Sequence, residues 1–257
     1  RHRGFSVYRR TMTITCSVNA GLSIACGSLK LLVDPFPTER VGVFSSLTED
    51  MLAQALDSPA FQSPDIVFIT HTHRDHYNAP VMQRFLTRWP TARIIMPDNP
   101  FPQGLLLNAP CTLQWNGARL RFFPLTHQGA EYAGTAHFGL LLTAGGMTLL
   151  LVGDGVVADE TLAEILAGET VDIAVLPFPW VSLRRGVAFV DQVIRPKHIL
   201  VNHLPLPASD VFHYAESAAR HSAQLNCTSD VQMMNAFLKS FIFELSTPAY
   251  PREKYTL

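Results

Sequence analysis

The stretch FITHTHRDHYNAP, residues 68–80, places three of the chain's ten histidines, His71, His73 and His76, within six positions, with Asp75 among them. Imidazole nitrogen and carboxylate oxygen are the donors that borderline divalent metals prefer. A solitary histidine at a strand end is most often structural or solvated. Three histidines and a carboxylate packed this closely point instead to a metal site. His71 and His73, two apart, face the same way while the chain stays extended. Asp75 and His76 then require a turn.

The elements that must hold these residues follow from the apolar pattern. DIVFIT (65–70) reads as a short buried strand, so the cluster begins where a strand runs out, a usual place for a scaffold to present chemistry. APVMQRFLTRW (79–89) reads as a helix with Asn78 as its N-cap. KLLVDPF (30–36) and ARIIMP, near 93–98, are further strands. ARLRFFPL (118–125) and the two runs flanking AGG in FGLLLTAGGMTLLLVG (138–153) read as a sheet meander, which also disposes of the second stretch as a membrane span. Beyond it come a helix near 159–167, the strand DIAVLPF (172–178), a helix near 187–194, the strand KHILVNH (197–203) and a helix over 209–225 capped by Ser209. Strands with helices between the later ones predict sheets covered by helices, a layered α/β arrangement.

Composition narrows the function classes. A formal net charge of −1 gives no field that favours nucleic acid or an anionic membrane. Charged residues make up 16%, below the roughly 25% usual for soluble domains, which leaves room for a large core or a homo-oligomer interface. Cys16, Cys26, Cys111 and Cys227 form no CxxC pair and read as reduced thiols in a cytoplasmic setting. The start, RHRGFSVYRR, is basic with no long apolar run after it, so no secretory signal is expected.

HxHxDH after an apolar strand resembles the signature of the metallo-β-lactamase fold superfamily. LLVDPF resembles the early strand of that fold, and FFPLTHQG with His127, TLLLVGDG with Asp154 and PKHILVNHLP with His203 are similar to its later motifs, in order. GDG, DIAVLPF and RPKHILVNH look most like the branch of ascorbate-phosphate lactonases and phospholipase D-like hydrolases of N-acyl phosphatidylethanolamines. The segment from about 226 onward has no counterpart in that resemblance. The resemblance implies one domain over 1–257 with a four-layer αββα sandwich. It implies a first metal held by His71, His73 and His127, a second by Asp75, His76 and His203, and Asp154 bridging. The two divalent ions would be zinc first, with manganese or iron as alternatives. A metal-bridged hydroxide would attack a small ester, lactone or phosphodiester, anionic if Arg184 and Arg185 bind it, with Asp75, Asp154 or a metal-bound water passing the proton to the leaving group. A mononuclear iron oxidoreductase and a non-enzymatic metal-binding module are the alternatives. β-Lactam hydrolysis and nucleic-acid cleavage are disfavoured.

Other residues carry weaker signals. His137, in GTAHFGLLL, rivals His127 as a ligand, but the turn-like PLT and Gly129 favour His127 and leave His137 a supporting or substrate-facing role. Asp34 either braces the metal loop or is an ordinary turn aspartate. In PFPWVSLRRG (177–186), Trp180 offers an apolar wall, and Arg184 with Arg185 offers a grip on phosphate or carboxylate. The opposing reading is a solvated loop with its tryptophan packed on the scaffold. Tyr132 is a further substrate-facing candidate. His198, inside a strand, and His213 and His221, on a helix, read as structural. The substrate expected is a small molecule.

Overall fold

The structure is a computed structural model and describes residues 11–228 and 230–245. The basic start with His2 and the tail beyond 245 lie outside the described residues.

Six strands come first: β1 (Thr11–Cys16), β2 (Leu22–Cys26), β3 (Leu29–Val33), β4 (Ile66–Phe68), β5 (Arg93–Met96) and β6 (Leu105–Leu106). Then follow β7 (Cys111–Trp115), β8 (Ala118–Pro124), β9 (Phe138–Ala144), β10 (Met147–Leu151), β11 (Ile173–Pro177), β12 (His198–Asn202), β13 (Val231–Met233) and β14 (Ser240–Glu244). They form two sheets, in the orders β14-β1-β2-β3-β4-β5-β6 and β13-β12-β11-β10-β9-β8-β7. The two sheets share one plan. In the first, β14 to β3 pair antiparallel and β3 to β6 parallel. In the second, β7 to β10 pair antiparallel and β10 to β13 parallel. No sequence repeat announces this correspondence.

Period-two alternation builds the core. Leu149 and Leu151 of β10 face the space between the sheets, while Leu150 and Val152 face outward. Phe68 and Phe122 meet across the sheet interface with ring centroids 4.9 Å apart. Outside the first sheet lie α1 (Glu49–Asp57) and α2 (Ala79–Arg88); α2 buries Val81, Met82, Phe85 and Leu86 against Leu32, Val67 and Ile94. Asn78 caps α2 as its sequence predicts, accepting from the Val81 amide at 3.0 Å, an arrangement worth about 1 kcal/mol. Outside the second sheet lie α3 (Glu160–Ile165), α4 (Phe178–Ser182), α5 (Arg184–Phe189) and α6 (Tyr214–Ser222). Their Leu162, Trp180, Val181 and Ala218 pack on the outward face of that sheet. The four layers are those of an αββα sandwich. β4 and β11 are buried along their whole length, as parallel strands covered on both faces must be.

Three boundaries differ from the sequence reading. The helix predicted over 209–225 starts at Tyr214, because Pro207–Ser209 closes a 3₁₀ turn and His213 takes a left-handed φ of 55°. Asp210, not Ser209, caps it, accepting from the amides of Tyr214 at 2.9 Å and Ala215 at 3.0 Å. The helix predicted near 187–194 begins three residues earlier, at Arg184, and ends in a wide π turn, Val190–Ile194. Within the segment from 226, the described residues supply two strands: β13 extends the second sheet and β14 pairs with β1.

Strand direction then determines where chemistry collects. β8, β10, β11 and β12 run the same way, so their C-terminal ends share one rim of the second sheet. β3 and β4 likewise end together in the first.

Candidate metal centre

The rims of the two sheets deliver the candidate ligands to one point. His71, His73, Asp75 and His76 follow β4; His127 follows β8, Asp154 follows β10 and His203 follows β12. Three groups of donors lie within 4.8 Å of one another: His71, His73 and His127; His71, His76 and Asp154; Asp75, His76 and His203. His71 Nε2 is 3.3 Å from His127 Nε2, and His76 Nε2 is 3.2 Å from His203 Nε2. Asp154 Oδ2 sits among these nitrogens, 3.2 Å from His76 and His203, 3.7 Å from His127 and 4.0 Å from His71. Asp75 Oδ2 lies 3.5 Å from His203 Nε2 and 3.8 Å from His76 Nε2.

Hydrogen bonds behind the rings show what these contacts are. His76 Nδ1 donates to Asp34 Oδ2 at 2.9 Å. Thr70 Oγ1 donates to the same oxygen at 2.7 Å and accepts from His71 Nδ1 at 3.0 Å. His127 Nδ1 donates to the Gln128 carbonyl at 2.7 Å. With Nδ1 protonated in all three, Nε2 is the ring atom that each turns toward the cluster. Two lone pairs at such a distance repel unless a proton or a cation lies between them. Two nitrogens about 2.0–2.1 Å from one tetrahedral ion would themselves be about 3.3 Å apart. Asp154 Oδ1, buried, has no hydrogen-bond partner. Donor types, spacing and tautomers therefore fit divalent ions.

The electrostatics agree. Burial pushes His71 well below the ordinary imidazole range, so it is neutral and free to ligate. Burial would also depress His203, but the Asp154 carboxylate outweighs it and raises the group to about 9. His76 is raised for the same reason, with Asp34 adding to Asp154. Burial works against the Asp154 anion, yet His203 and His76 hold it well below the usual carboxylate range. In the absence of an ion these carboxylates keep protons on the two imidazoles, and a cation competes for the same positions.

Local backbone makes the site costly to build. Asp34 and His203 adopt left-handed φ of 43° and 55°, at about 1–3 kcal/mol each for a non-glycine residue. The His203 amide donates to the Asn19 carbonyl at 3.1 Å, and Asn19 Nδ2 donates to the Asp75 carbonyl at 3.0 Å. The Gly-Asp-Gly context of Asp154 also has a steric reason. Gly153 has φ +51°, and a Cβ there would lie 2.5 Å from His137 Nε2.

His137 lies behind Asp154. Its Nδ1 donates to the Leu125 carbonyl at 3.1 Å, and its Nε2 accepts from the Asp154 amide at 3.0 Å. Both nitrogens are engaged, and burial lowers its pKa to about 4. Tyr132 is half-exposed and sets its ring 4.9 Å from that of His73 and 5.2 Å from that of His127. A cavity of about 220 Å³ opens over His127, Asp154 and His203, walled by Phe44, Tyr132, Val157, Phe178 and Trp180. Trp180 is fully buried at its base. Arg184 and Arg185 are exposed on α5 and are not among the residues of this cavity; Arg184 lines a separate depression with Asp191 and Gln192. Arg74 points outward to Glu39 at 3.5 Å. His198 is held by Asp230 at 2.5 Å, away from the ligands.

Sequence reasoning missed Asn19, Phe44 and Gln128. Phe44 sets its ring edge-on to His203 at 4.1 Å. Gln128 Oε1 accepts from the Val157 amide at 3.1 Å, holding the loop after Asp154. None lies in a patterned stretch; only Gln128 adjoins a named ligand.

Comparison with known proteins places this arrangement. The family profile described as Beta-lactamase superfamily domain matches residues 14–202, and the chain belongs to that superfamily. No curated protein matches it. Among solved structures, it is similar to Igni18, a metallo hydrolase from the archaeon Ignicoccus hospitalis, at 16% identity and TM-score 0.67, covering 91% of this chain and 99% of that one. The isothiocyanate hydrolase from Delia radicum gut bacteria is 18% identical with TM-score 0.64, over 91% of this chain and 100% of its own. CmlA, a diiron β-hydroxylase from Streptomyces venezuelae, is 16% identical with TM-score 0.63, over 91% of this chain but 54% of its own. At these identities the likeness is one of fold, and the fold hosts more than one chemistry.

Proposed function

We propose that the chain is a binuclear metallohydrolase that cleaves a small neutral ester or lactone. The observation that carries this reading is the set of inward-facing Nε2 atoms around Asp154 Oδ2, beneath an apolar cavity. His71, His73 and His127 would hold one ion, Asp75, His76 and His203 the other, and Asp154 would bridge. Zinc is the first assignment, with manganese or iron next. When bound, the pair supplies Lewis acidity and lowers the pKa of water toward neutrality.

The chain's own residues do the rest. Asp34 and Thr70 fix the tautomers of His76 and His71. His137 holds the Asp154 amide. Phe44 and Phe178, backed by the buried Val157 and Trp180, seat the apolar part of the substrate and exclude bulk water. Asp75 and Asp154 are the carboxylates within reach of the cluster, and either would pass the proton of the attacking water on to the leaving alkoxide. Among the described residues no lysine or arginine lines the cavity, which favours a neutral acyl substrate over the anionic one that Arg184 and Arg185 suggest from sequence. The lactonase and phospholipase D-like branch supplies the ester, lactone and phosphodiester classes to screen. Cys16, Cys26, Cys111 and Cys227 are all free, which suits a cytoplasmic setting.

The test is metal content per chain together with turnover of a lactone and aryl-ester panel. About two ions per chain and hydrolysis abolished by Asp154→Ala are expected. Full activity in Asp154→Ala, or one ion that no added metal raises toward two, would overturn the assignment.

A further inference from the structure

The cavity over the ligands is small. Its volume of about 220 Å³ falls below the few hundred cubic ångströms that usually enclose an organic ligand. Any longer substrate must leave it along one wall. Phe178 is part of that wall, and its ring stacks on Tyr214 at 4.6 Å and 27°. Tyr214 in turn meets Phe212 at 5.7 Å. Phe212 is 61% exposed and its neighbour Val211 is 70% exposed. This exposure is built in rather than a product of slack chain. The turn is held by the His213 amide on the Asp210 carbonyl and by the Asp210 carboxylate on the first amides of α6. A chain of ring contacts therefore runs from the cavity wall to the surface on ordered backbone.

We propose that Phe178, Tyr214, Phe212 and Val211 form a subsite for an alkyl or arylalkyl substituent of the substrate, whose scissile group sits at the ligands. The inference rests on the hydrolase reading and sharpens it: the substrate is an ester or lactone with an apolar chain longer than the cavity. Continuity with the cavity commits the path to this occupant. Tyr132, also on the cavity wall, sets its ring against His73 and His127 instead.

Straight-chain carboxylates from butanoate to decanoate, kept below their micelle concentrations, are the probes. They are titrated calorimetrically into the metal-loaded protein and into the Val211→Ser, Phe212→Ser double variant. Both changes are on exposed side chains and leave the core intact. A chain lying on one apolar wall gains about half the transfer energy of full burial, so affinity should rise roughly twofold per methylene beyond hexanoate. In the variant that rise should flatten, with butanoate affinity unchanged. A flat series in the wild type, or an equal slope in the variant, overturns the subsite. A variant that passes from dimer to monomer with an unchanged slope assigns the pair to a subunit interface and also overturns it. The slope judges the path, whereas sensitivity of butanoate binding to chelation judges the metal centre, so the two readings fail separately.

Discussion

Replacing Asp34 by asparagine changes almost no volume but reverses the logic of the hydrogen bonds beneath the ligands. Asp34 is 1% exposed. Its Oδ1 accepts from the Thr70 amide at 2.8 Å, and its Oδ2 accepts from Thr70 Oγ1 and His76 Nδ1. The Thr70 amide is fixed as a donor, so asparagine must keep its oxygen there and turn its NH₂ toward Thr70 Oγ1 and His76 Nδ1. His76 can then accept only by moving its proton to Nε2, the atom needed for metal. Thr70 can accept only by pointing its hydroxyl hydrogen at His71 Nδ1, which drives the His71 proton to Nε2 as well. One substitution thus disables a ligand in each proposed metal position. Restoring either ligating tautomer leaves a buried donor facing a donor, at about 1–3 kcal/mol. At 1.4 kcal/mol per decade, affinity for each ion should fall about ten- to a hundredfold. Competition with a chromogenic chelator measures that loss, and ¹⁵N shifts of the histidine rings report the tautomers. A folded Asp34→Asn protein that binds metal within threefold of wild type would refute the relay from Asp34 to both sites.

Gly153→Ala should lower Tm by several degrees and loosen metal binding, because its Cβ would meet His137 Nε2 at 2.5 Å and its φ is +51°; a loss under about 1 °C in a thermal melt would mean the loop shifts freely. Stripping metal by dialysis against chelator should also lower Tm. Each ion present at a hundredfold over its Kd contributes about 2.7 kcal/mol, or several degrees for a domain of this size, and identical melts would contradict occupancy in the native state. Cys227, whose pKa burial and the adjacent Asp191 carboxylate raise from 9.0 to about 11, should alkylate at pH 8 on the order of a hundredfold more slowly than an exposed cysteine peptide, as mapped by mass spectrometry; equal rates would place it in open solvent. Arg184→Ala combined with Arg185→Ala should leave KM for a neutral ester within about twofold, since neither side chain lines the cavity; a rise of tenfold would return the arginines to the substrate.

What was legible in the sequence is what the sequence encodes locally. The apolar run before His71 and the density of donors after it lie within a dozen residues, so strand, turn and ligands were readable together. The capping of α2 by Asn78 is local in the same way. Asn19 was not readable, because its contact with Asp75 joins residues 56 apart and nothing around it is patterned. Arg184 and Arg185 do not line the cavity for a related reason. Their nearness in sequence to the end of β11 suggested the rim, but α4 intervenes and α5 leaves both arginines exposed away from the cavity. The tail after 226 carried no motif, yet its register against β1 completes the first sheet. Edge pairing of that kind is specified by a partner elsewhere in the chain.

The division of the donors between the two sheets ties the chemistry to the fold. Asp34, His71, His73, Asp75 and His76 belong to the ends of β3 and β4, whereas His127, His137, Asp154 and His203 come from the second sheet. Each close Nε2 pair, His71 with His127 and His76 with His203, therefore spans the two sheets. The interface beneath them is a packed apolar layer with Phe68 against Phe122. Such a layer resists sliding, because any shift opens voids or forces side chains off their rotamers. Its rigidity keeps five imidazoles and two carboxylates close despite the strained backbone at Asp34 and His203. An ion at either position would in turn brace one sheet against the other. Binding and sheet packing thus work on the same degree of freedom, and the site gains its preorganisation from the core rather than from the loops that carry the ligands.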